Sequence, residues 1–256
     1  MKTLITGIHA VESALKNDPD NIVQVWFAEN KKNQRIKELI HHAQKRGLIS
    51  NSVDFKMLDK LAKTHQHQGV VAEYNAPASY NEDDLLALLE SKASDEAESK
   101  NGQQSVPLLL VLDGITDPHN LGACLRTAEG AGVIAVIAPK DNAVGLTPAA
   151  RKVASGAAET VPFVQVTNLV RTIEKLKKLG IWFFGTSDKA TGYLYTQNFK
   201  VPTAIVMGAE GKGLRRLTEE HCDELIAIPM AGKVSSLNVS VATGVCLYEV
   251  VRQRQS

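Results

Sequence analysis

Apolar and polar positions alternate along the chain with two different periods. Ahead of residue 75 the spacing predicts a helix over Ala10–Leu15, a strand over Ile22–Phe27, a helix over Gln34–Lys45, and strands over Ile49–Val53 and Gly69–Glu73, a small α/β module. From Leu108 onward short, nearly all-apolar runs alternate with helical stripes. The runs are Leu108–Leu112, Ile134–Ala138, Phe163–Val166, Ile181–Gly185, Ala204–Met207 and Glu224–Ile228; the stripes are Leu121–Ala131, Pro148–Ser155, Leu169–Leu179 and Val239–Arg252. Strands without a polar face, separated by helices, predict a parallel sheet covered on both sides. The helix signals agree: Leu121, Cys124, Leu125 and Ala128 form one stripe, Pro118 suits a first turn, and Gly180 follows Leu179 as a left-handed stop.

Residues 76–105 separate the two patterns. They hold a short leucine patch at Leu85–Leu89, where Asp83–Ser91 suits a short helix, and then no large apolar residue from Ser94 to Ser105. Such a segment buries too little apolar surface to offset its ordering entropy, so the expected organisation is a small domain over 1–75, an acidic linker over 76–105 and a larger domain over 106–256.

Charge sharpens that division. The chain of 256 residues carries 29 Lys and Arg against 28 Asp and Glu. The three segments carry 11 against 8, 2 against 7 and 16 against 13, so an acidic middle masks two mildly basic parts and a polyanionic partner stays open. In the small domain Lys31, Lys32, Arg35, Lys37, Lys45 and Arg46 gather on the second helix and its approaches, which fits either a phosphate-facing surface or a solvated helix face. His41, His42, His65 and His67 lack acidic or cysteine partners at a metal spacing and read as surface or RNA-proximal residues. Three widely spaced cysteines form neither a disulfide framework nor a metal knuckle, and the longest apolar runs are far too short for a bilayer, so a reducing cytoplasm is expected.

Three loops of the larger domain carry candidate chemistry. The first, from Asp113 to Arg126, leaves a strand and enters a helix; Arg126 lies off the apolar stripe, with a guanidinium suited to phosphate or carboxylate, and Asn120 stands near the helix start. Capping by Asp113, Asp117 and Asn120 with a surface ion pair for Arg126 explains the same residues. The second, Met207-Gly-Ala-Glu-Gly-Lys-Gly213, places three glycines in six residues, so backbone can approach a ligand closely, with Glu210 among them. Neither a Walker A frame nor GxGxxG is present. The third runs from Ile228 through Pro229, Met230, Ser235, Ser236, Leu237 and Asn238 into a small-residue helix; capping accounts for one of its polar residues, not all. Ser236 with His119 and Asp117 would suit a serine hydrolase, but the GxSxG elbow is missing.

Read in order, DxxxDPxNLGACLRTAEGAG, VMGAEGKGL and IPMAGKVSSLNVSVATGV resemble the three motifs of the SpoU branch of the SPOUT methyltransferases, over about residues 106–256. The small domain resembles that family's RNA-binding extension. The resemblance implies an α/β fold whose parallel sheet ends in a deep trefoil knot, a homodimer packed through it, and S-adenosyl-L-methionine as cofactor without a metal. It implies cofactor contacts at Met207, Gly208, Gly211, Ile228, Pro229, Met230 and Leu237, and a catalytic group of Asn120, Arg126, Glu210, Ser236 and Asn238, with Arg126 acting in cis or across the dimer. The layout, with the runs Lys152–Glu159 and His221–Glu224, is nearest to family members that methylate a guanosine ribose of 23S ribosomal RNA near the peptidyl-transferase centre, free or in an assembling large subunit. Lys31, Lys32, Arg35 and Arg46 are then expected to contact RNA. Two other readings stay open: a transfer-RNA ribose methyltransferase of the same branch, and a non-catalytic RNA-binding assembly factor.

Overall fold

A computed structural model describes residues 2–17, 19–29, 33–75, 80–98 and 106–255. The chain forms two compact units, Met1–Ser79 with Leu146–Thr160, and Tyr80–Gly145 with Val161–Ser256.

The first unit contains β1 (Lys2–Thr6), α1 (Ile8–Asn17), β2 (Ile22–Ala28), α2 (Gln34–Lys45), β3 (Ile49–Val53), α3 (Phe55–Ala62) and β4 (Val70–Asn75). Its sheet runs β1-β4-β2-β3, with β4 antiparallel to both neighbours and β3 parallel to β2. Two elements escape the apolar pattern. Strand β1 is half-polar, and α3 is a single amphipathic stretch started by Asp54, whose carboxylate accepts the Met57 N–H at 2.7 Å. His67 is not a surface residue. It is fully buried, accepting the Gly69 N–H on Nδ1 and contacting Asp59 through Nε2, both at 3.0 Å, because the tight turn into β4 needs a polar anchor.

Along the chain α4 (Glu82–Glu98) follows β4 and belongs to the second unit, longer than the short helix expected over Asp83–Ser91 within the linker segment. Asn81 and Asp84 form a reciprocal cap: Asn81 Oδ1 accepts the Asp83 and Asp84 N–H groups, and Asp84 Oδ2 accepts the Asn81 N–H. The acidic run therefore starts the helix, and Leu85 and Leu89 bury themselves in the core of the second unit.

The second unit continues with β5 (Leu108–Asp113), α5 (Pro118–Gly130) and β6 (Ala135–Pro139). After α6 (Pro148–Ala154) and α7 (Ala157–Thr160), which belong to the first unit, come β7 (Phe163–Val166), α8 (Leu169–Lys178), β8 (Trp182–Thr186), β9 (Gly192–Tyr193), β10 (Thr203–Gly208), α9 (Arg216–Glu220), β11 (Glu224–Ala227) and α10 (Val239–Arg254). The placement of α6 and α7 differs from a simple boundary at residue 106. Gly156, at φ +99°, lies so close to Ser13 that a Cβ would sit 2.5 Å from the serine Cβ, and Ser13 Oγ donates to the Gly156 carbonyl at 3.3 Å. The sheet is parallel throughout, in the order β7-β6-β5-β10-β8-β11-β9. All its strands consequently end at one edge, where the loops after β5, β10 and β11 gather.

Candidate active site

Each of the three loops is fixed by local chemistry. Asp117 caps α5, accepting the His119 N–H at 2.9 Å and contacting the His119 ring at 3.1 Å; these hold its carboxyl below the usual aspartate range. Pro118 then takes the first helical position and Asn120 falls in the first turn, buried. At the end of β10, Gly208 tolerates no side chain: a Cβ would lie 2.2 Å from the Gly213 carbonyl carbon and 2.4 Å from the Leu214 nitrogen. The loop beyond it closes on itself through paired Ala209 and Gly213 backbone bonds of 2.8 and 2.9 Å, with Gly211 and Gly213 at φ +73° and +69°. Asn238 caps α10, its Oδ1 accepting the Ser240 N–H at 2.9 Å and the Ser240 hydroxyl at 2.6 Å.

These loops meet in one side-chain chain. Asn120 Nδ2 donates to Glu210 Oε2 at 3.2 Å, and Asn238 Nδ2 donates to Asn120 Oδ1 at 3.1 Å. Asn120 thus spends both its donor and its acceptor ends on residues 90 and 118 positions away. Arg126 and Ser236 do not join this chain. Both are exposed, and neither side chain makes a hydrogen bond or ion pair among the described residues. Lys31 and Lys32 lie outside the described residues; Arg35 and Arg46 are exposed in the first unit.

Of the expected cofactor contacts, Met207 is buried, with Thr186 Oγ1 3.8 Å from its sulfur and bonded to the Val206 carbonyl at 3.0 Å. Gly208, Ile228, Met230 and Leu237 are half-buried, and Gly211 and Pro229 are exposed. The segment 228–237 forms no backbone hydrogen bond among the described residues, so its N–H and C=O groups are free to serve a ligand's polar edge. At Gly211, Gly213 and Gly232 a Cβ would meet nothing within 4 Å, so the backbone at these three positions faces open space that a ligand can approach. A nucleoside-bearing group such as S-adenosylmethionine fits this donor set. No group of three or more His, Cys, Asp or Glu side chains suited to a metal occurs among the described residues, and no helix there is long and apolar enough to cross a membrane.

The motif reading misses Arg215. Its backbone N–H and guanidinium both reach Asp113, the fully buried last residue of β5. An acid ending an all-apolar strand, with an arginine directly after the glycine loop, is the signal that marks the pair.

Comparison with known proteins places this geometry. The model of the SpoU rRNA methylase family matches residues 107–248, and that of the RNA 2'-O ribose methyltransferase substrate-binding domain matches residues 4–80. A 23S rRNA (guanosine-2'-O-)-methyltransferase RlmB of Pasteurella multocida is 52% identical over 255 residues, covering 99% of this chain and 99% of the relative. Its counterpart in Shewanella oneidensis is 51% identical over 253 residues, covering 99% and 98%. Among solved structures, the SpoU methyltransferase AviRb of Streptomyces viridochromogenes with AdoMet superposes with a TM-score of 0.77 at 22% identity, covering 99% of this chain and 91% of that one. A TrmH/SpoU tRNA modifying enzyme of A. aeolicus reaches 0.54 at 28% identity, covering 67% and 84%. The chain belongs to the SpoU rRNA methylase family.

Proposed function

We propose that this chain transfers a methyl group from S-adenosyl-L-methionine to the ribose 2′-hydroxyl of a guanosine in 23S ribosomal RNA. The observation that carries the reading is the Glu210–Asn120–Asn238 chain, which joins the three motif loops at the sheet edge. Relatives named for this activity match both units end to end, whereas the tRNA modifying enzyme matches about two thirds of the chain.

The cofactor, held by Met207, Gly208, Gly211 and the backbone of Ile228, Pro229, Met230 and Leu237, supplies an electrophilic sulfonium methyl. The protein's own residues orient the ribose and handle a weakly acidic proton. A guanidinium stays protonated in proteins, so Arg126 acts by stabilising charge that develops on the 2′-oxygen and on the neighbouring phosphate, and the proton leaves to phosphate or water. Glu210, Ser236 and Asn238 are positioning residues, and Asn120 holds Glu210 and Asn238 in register. Residues 1–75, including Lys31, Lys32, Arg35 and Arg46, present the RNA.

The reading includes a homodimer packed through a knotted C-terminal region. Its support is the return of β10 between β5 and β8 with residues 213–214 pressed onto Gly208, and the half-exposed Val241 and Tyr248 seven residues apart on α10. A cytoplasmic setting is supported by three free thiols. The test is transfer of labelled methyl to large-subunit and transfer RNAs lacking their own ribose methylations, with mapping by resistance to alkali. One resistant guanosine in 23S RNA is expected; label confined to transfer RNA overturns the target, and RNA binding without transfer makes the chain an assembly factor.

A further inference from the structure

A cavity of about 280 Å³ opens in the first unit between α1 and α2. Helix α1 lines it with His9, Glu12 and Lys16, and α2 lines it with Arg35, Glu38 and His42, each set on one helix face at i, i+3 and i+7. Leu15 and Leu39, 2% and 3% exposed, lie among these polar walls and belong to the unit's core. An apolar base with convergent polar groups is the composition of a ligand site, and this volume, just below the ~300–1,000 Å³ usual for drug-sized ligands, suits one small planar group.

The pairing within the cavity selects the ligand. Lys16 is taken by Glu12 at 2.7 Å, a contact that holds the Glu12 carboxyl below its usual range. Arg35 and Glu38 stand three apart on α2, a spacing at which opposite charges ordinarily pair. They do not. Arg35 Nη1 lies 3.4 Å from His9 Nε2, and Glu38 receives only the Gln34 side-chain amide, also at 3.4 Å, with no cation in contact among the described residues. The cavity therefore offers a two-oxygen acceptor beside a planar donor fork. A lone phosphate is opposed by Glu12 and Glu38, and a metal ion by Lys16 and Arg35. Guanine matches both: its N1–H and N2 amine suit a carboxylate, and its O6 and N7 suit a guanidinium. His9 and His42 supply rings of the kind that stack on unpaired bases.

We infer that the α1–α2 cavity is a reading pocket for one unpaired guanine of the RNA, lying in the first unit and distinct from the methyl-transfer site. The inference rests on the reading that this unit holds RNA. The test is equilibrium binding of the full chain to a twelve-nucleotide oligouridine and to the same strand with one central guanosine, inosine or adenosine. Guanosine should tighten binding about tenfold over uridine, and inosine, lacking the N2 amine, should recover only part of the gain. Glu38→Gln, which replaces one acceptor oxygen by a donor, should abolish the guanosine preference while leaving oligouridine affinity and the melting temperature unchanged. Equal affinity for all four strands, or a preference intact in Glu38→Gln, overturns the pocket while RNA binding by the unit stands; no binding of any strand overturns both.

Discussion

Arg215 closes on the carboxylate of Asp113 twice, with its main-chain N–H to Oδ2 at 2.9 Å and its guanidinium Nε to Oδ1 at 3.3 Å. Nη2 reaches on to the Asp141 carbonyl at 3.3 Å, so one side chain ties the end of the glycine loop to β5 and to the turn after β6. The glycine loop also carries Glu210, and β5 leads into α5 with Asn120, so the tie braces the two segments that the Asn120–Glu210 hydrogen bond joins. Removing the guanidinium leaves a buried carboxylate with a single backbone donor. Arg215→Ala should cost about 1–3 kcal/mol in denaturant unfolding, and should weaken S-adenosylmethionine binding, with Arg215→Lys recovering part of both. An unchanged unfolding midpoint together with unchanged cofactor affinity would refute the clamp.

The Asn120 amide is the shared member of the three-loop chain, so its loss and the loss of Glu210 should not add. Methyl-transfer rates of Asn120→Ala, Glu210→Ala and the double variant form a cycle whose coupling should fall in the range of about 0.5–3 kcal/mol found for residues in one network. Additive effects on the rate would mean that the two residues act separately. Asn120→Asp is the sharper single change, because it sets a second carboxylate against Glu210 and should lower turnover more than alanine does.

Arg126 is exposed and makes no ion pair among the described residues, so its replacement should leave stability within about 0.5 kcal/mol of the parent. Its effect belongs to the rate. Arg126→Ala should slow methyl transfer by about 10²–10³-fold, the usual consequence of removing one preorganised stabiliser of developing charge. Arg126→Lys should retain part of the activity, with a pH–rate profile unshifted from that of the parent. A titration that moves with the substitution would make the side chain a proton acceptor instead.

How far the sequence carries depends on where each interaction comes from. Gln34–Lys45 and Phe163–Val166 are read to the residue, and the strand near Ile49–Val53 is read in place, since local apolar period and nearby caps determine them. Asp117, Pro118, Asn238 and Gly180 are legible for the same reason. The leucine patch and the helix begun near Asp83 are legible in the acidic stretch, whereas the Asn81–Asp84 cap and the burial of Leu85 and Leu89 in the second unit's core are not, because both depend on contacts that composition does not carry. Strand β1 and the attachment of 146–160 to the first unit are long-range pairings with no local period. In the site, motif resemblance supplies Asn120, Glu210 and Asn238, but not that Asn120 bonds both of the others. Arg215 is invisible to the motifs because it works through Asp113 from outside them.

The three thiols set an alkaline limit. Burial pushes Cys124 up to about 11, Cys222 to about 12, helped by the Asp223 charge, and Cys246 to about 12. In the unfolded chain a thiol loses its proton near pH ~8.5. Above that pH the unfolded state binds fewer protons than the folded one, so stability falls as pH rises from there toward the folded values. Unfolding midpoints should drop between pH 8 and pH 10, with a shallower drop in Cys222→Ala, and thiol reagents should label the folded protein slowly at pH 8 and the denatured protein at all three cysteines at once. Fast labelling of the native fold would contradict the buried environment.

The C-terminal helix ends in a backbone clasp. Arg254 Nε donates to the Phe199 carbonyl at 2.9 Å, Nη1 to Val106, and Nη2 to Pro107 at 3.2 Å and Val201 at 2.8 Å, while Gln253 exchanges bonds of 3.0 Å with the Phe199 N–H and the Gln197 carbonyl. The partners are carbonyls of the segments leading into β5 and β10, so one guanidinium closes the last turn of α10 against the start of the two central strands. Desolvation there pulls its pKa down from the usual arginine range, and the planar fork compensates by giving all three of its nitrogens a carbonyl acceptor. A lysine, with a point charge and no fork, reaches fewer of these carbonyls. Arg254→Lys should therefore lower the melting temperature by a few degrees and Arg254→Ala by about twice as much, on a scale of about 2–4 °C per kcal/mol for a chain of this size. Because the clasp lies at the opposite end of β5 and β10 from the glycine loop, the rate at permissive temperature should stay near that of the parent in both variants; a rate loss equal to that of Arg126→Ala would show that the helix end governs the site as well as the fold.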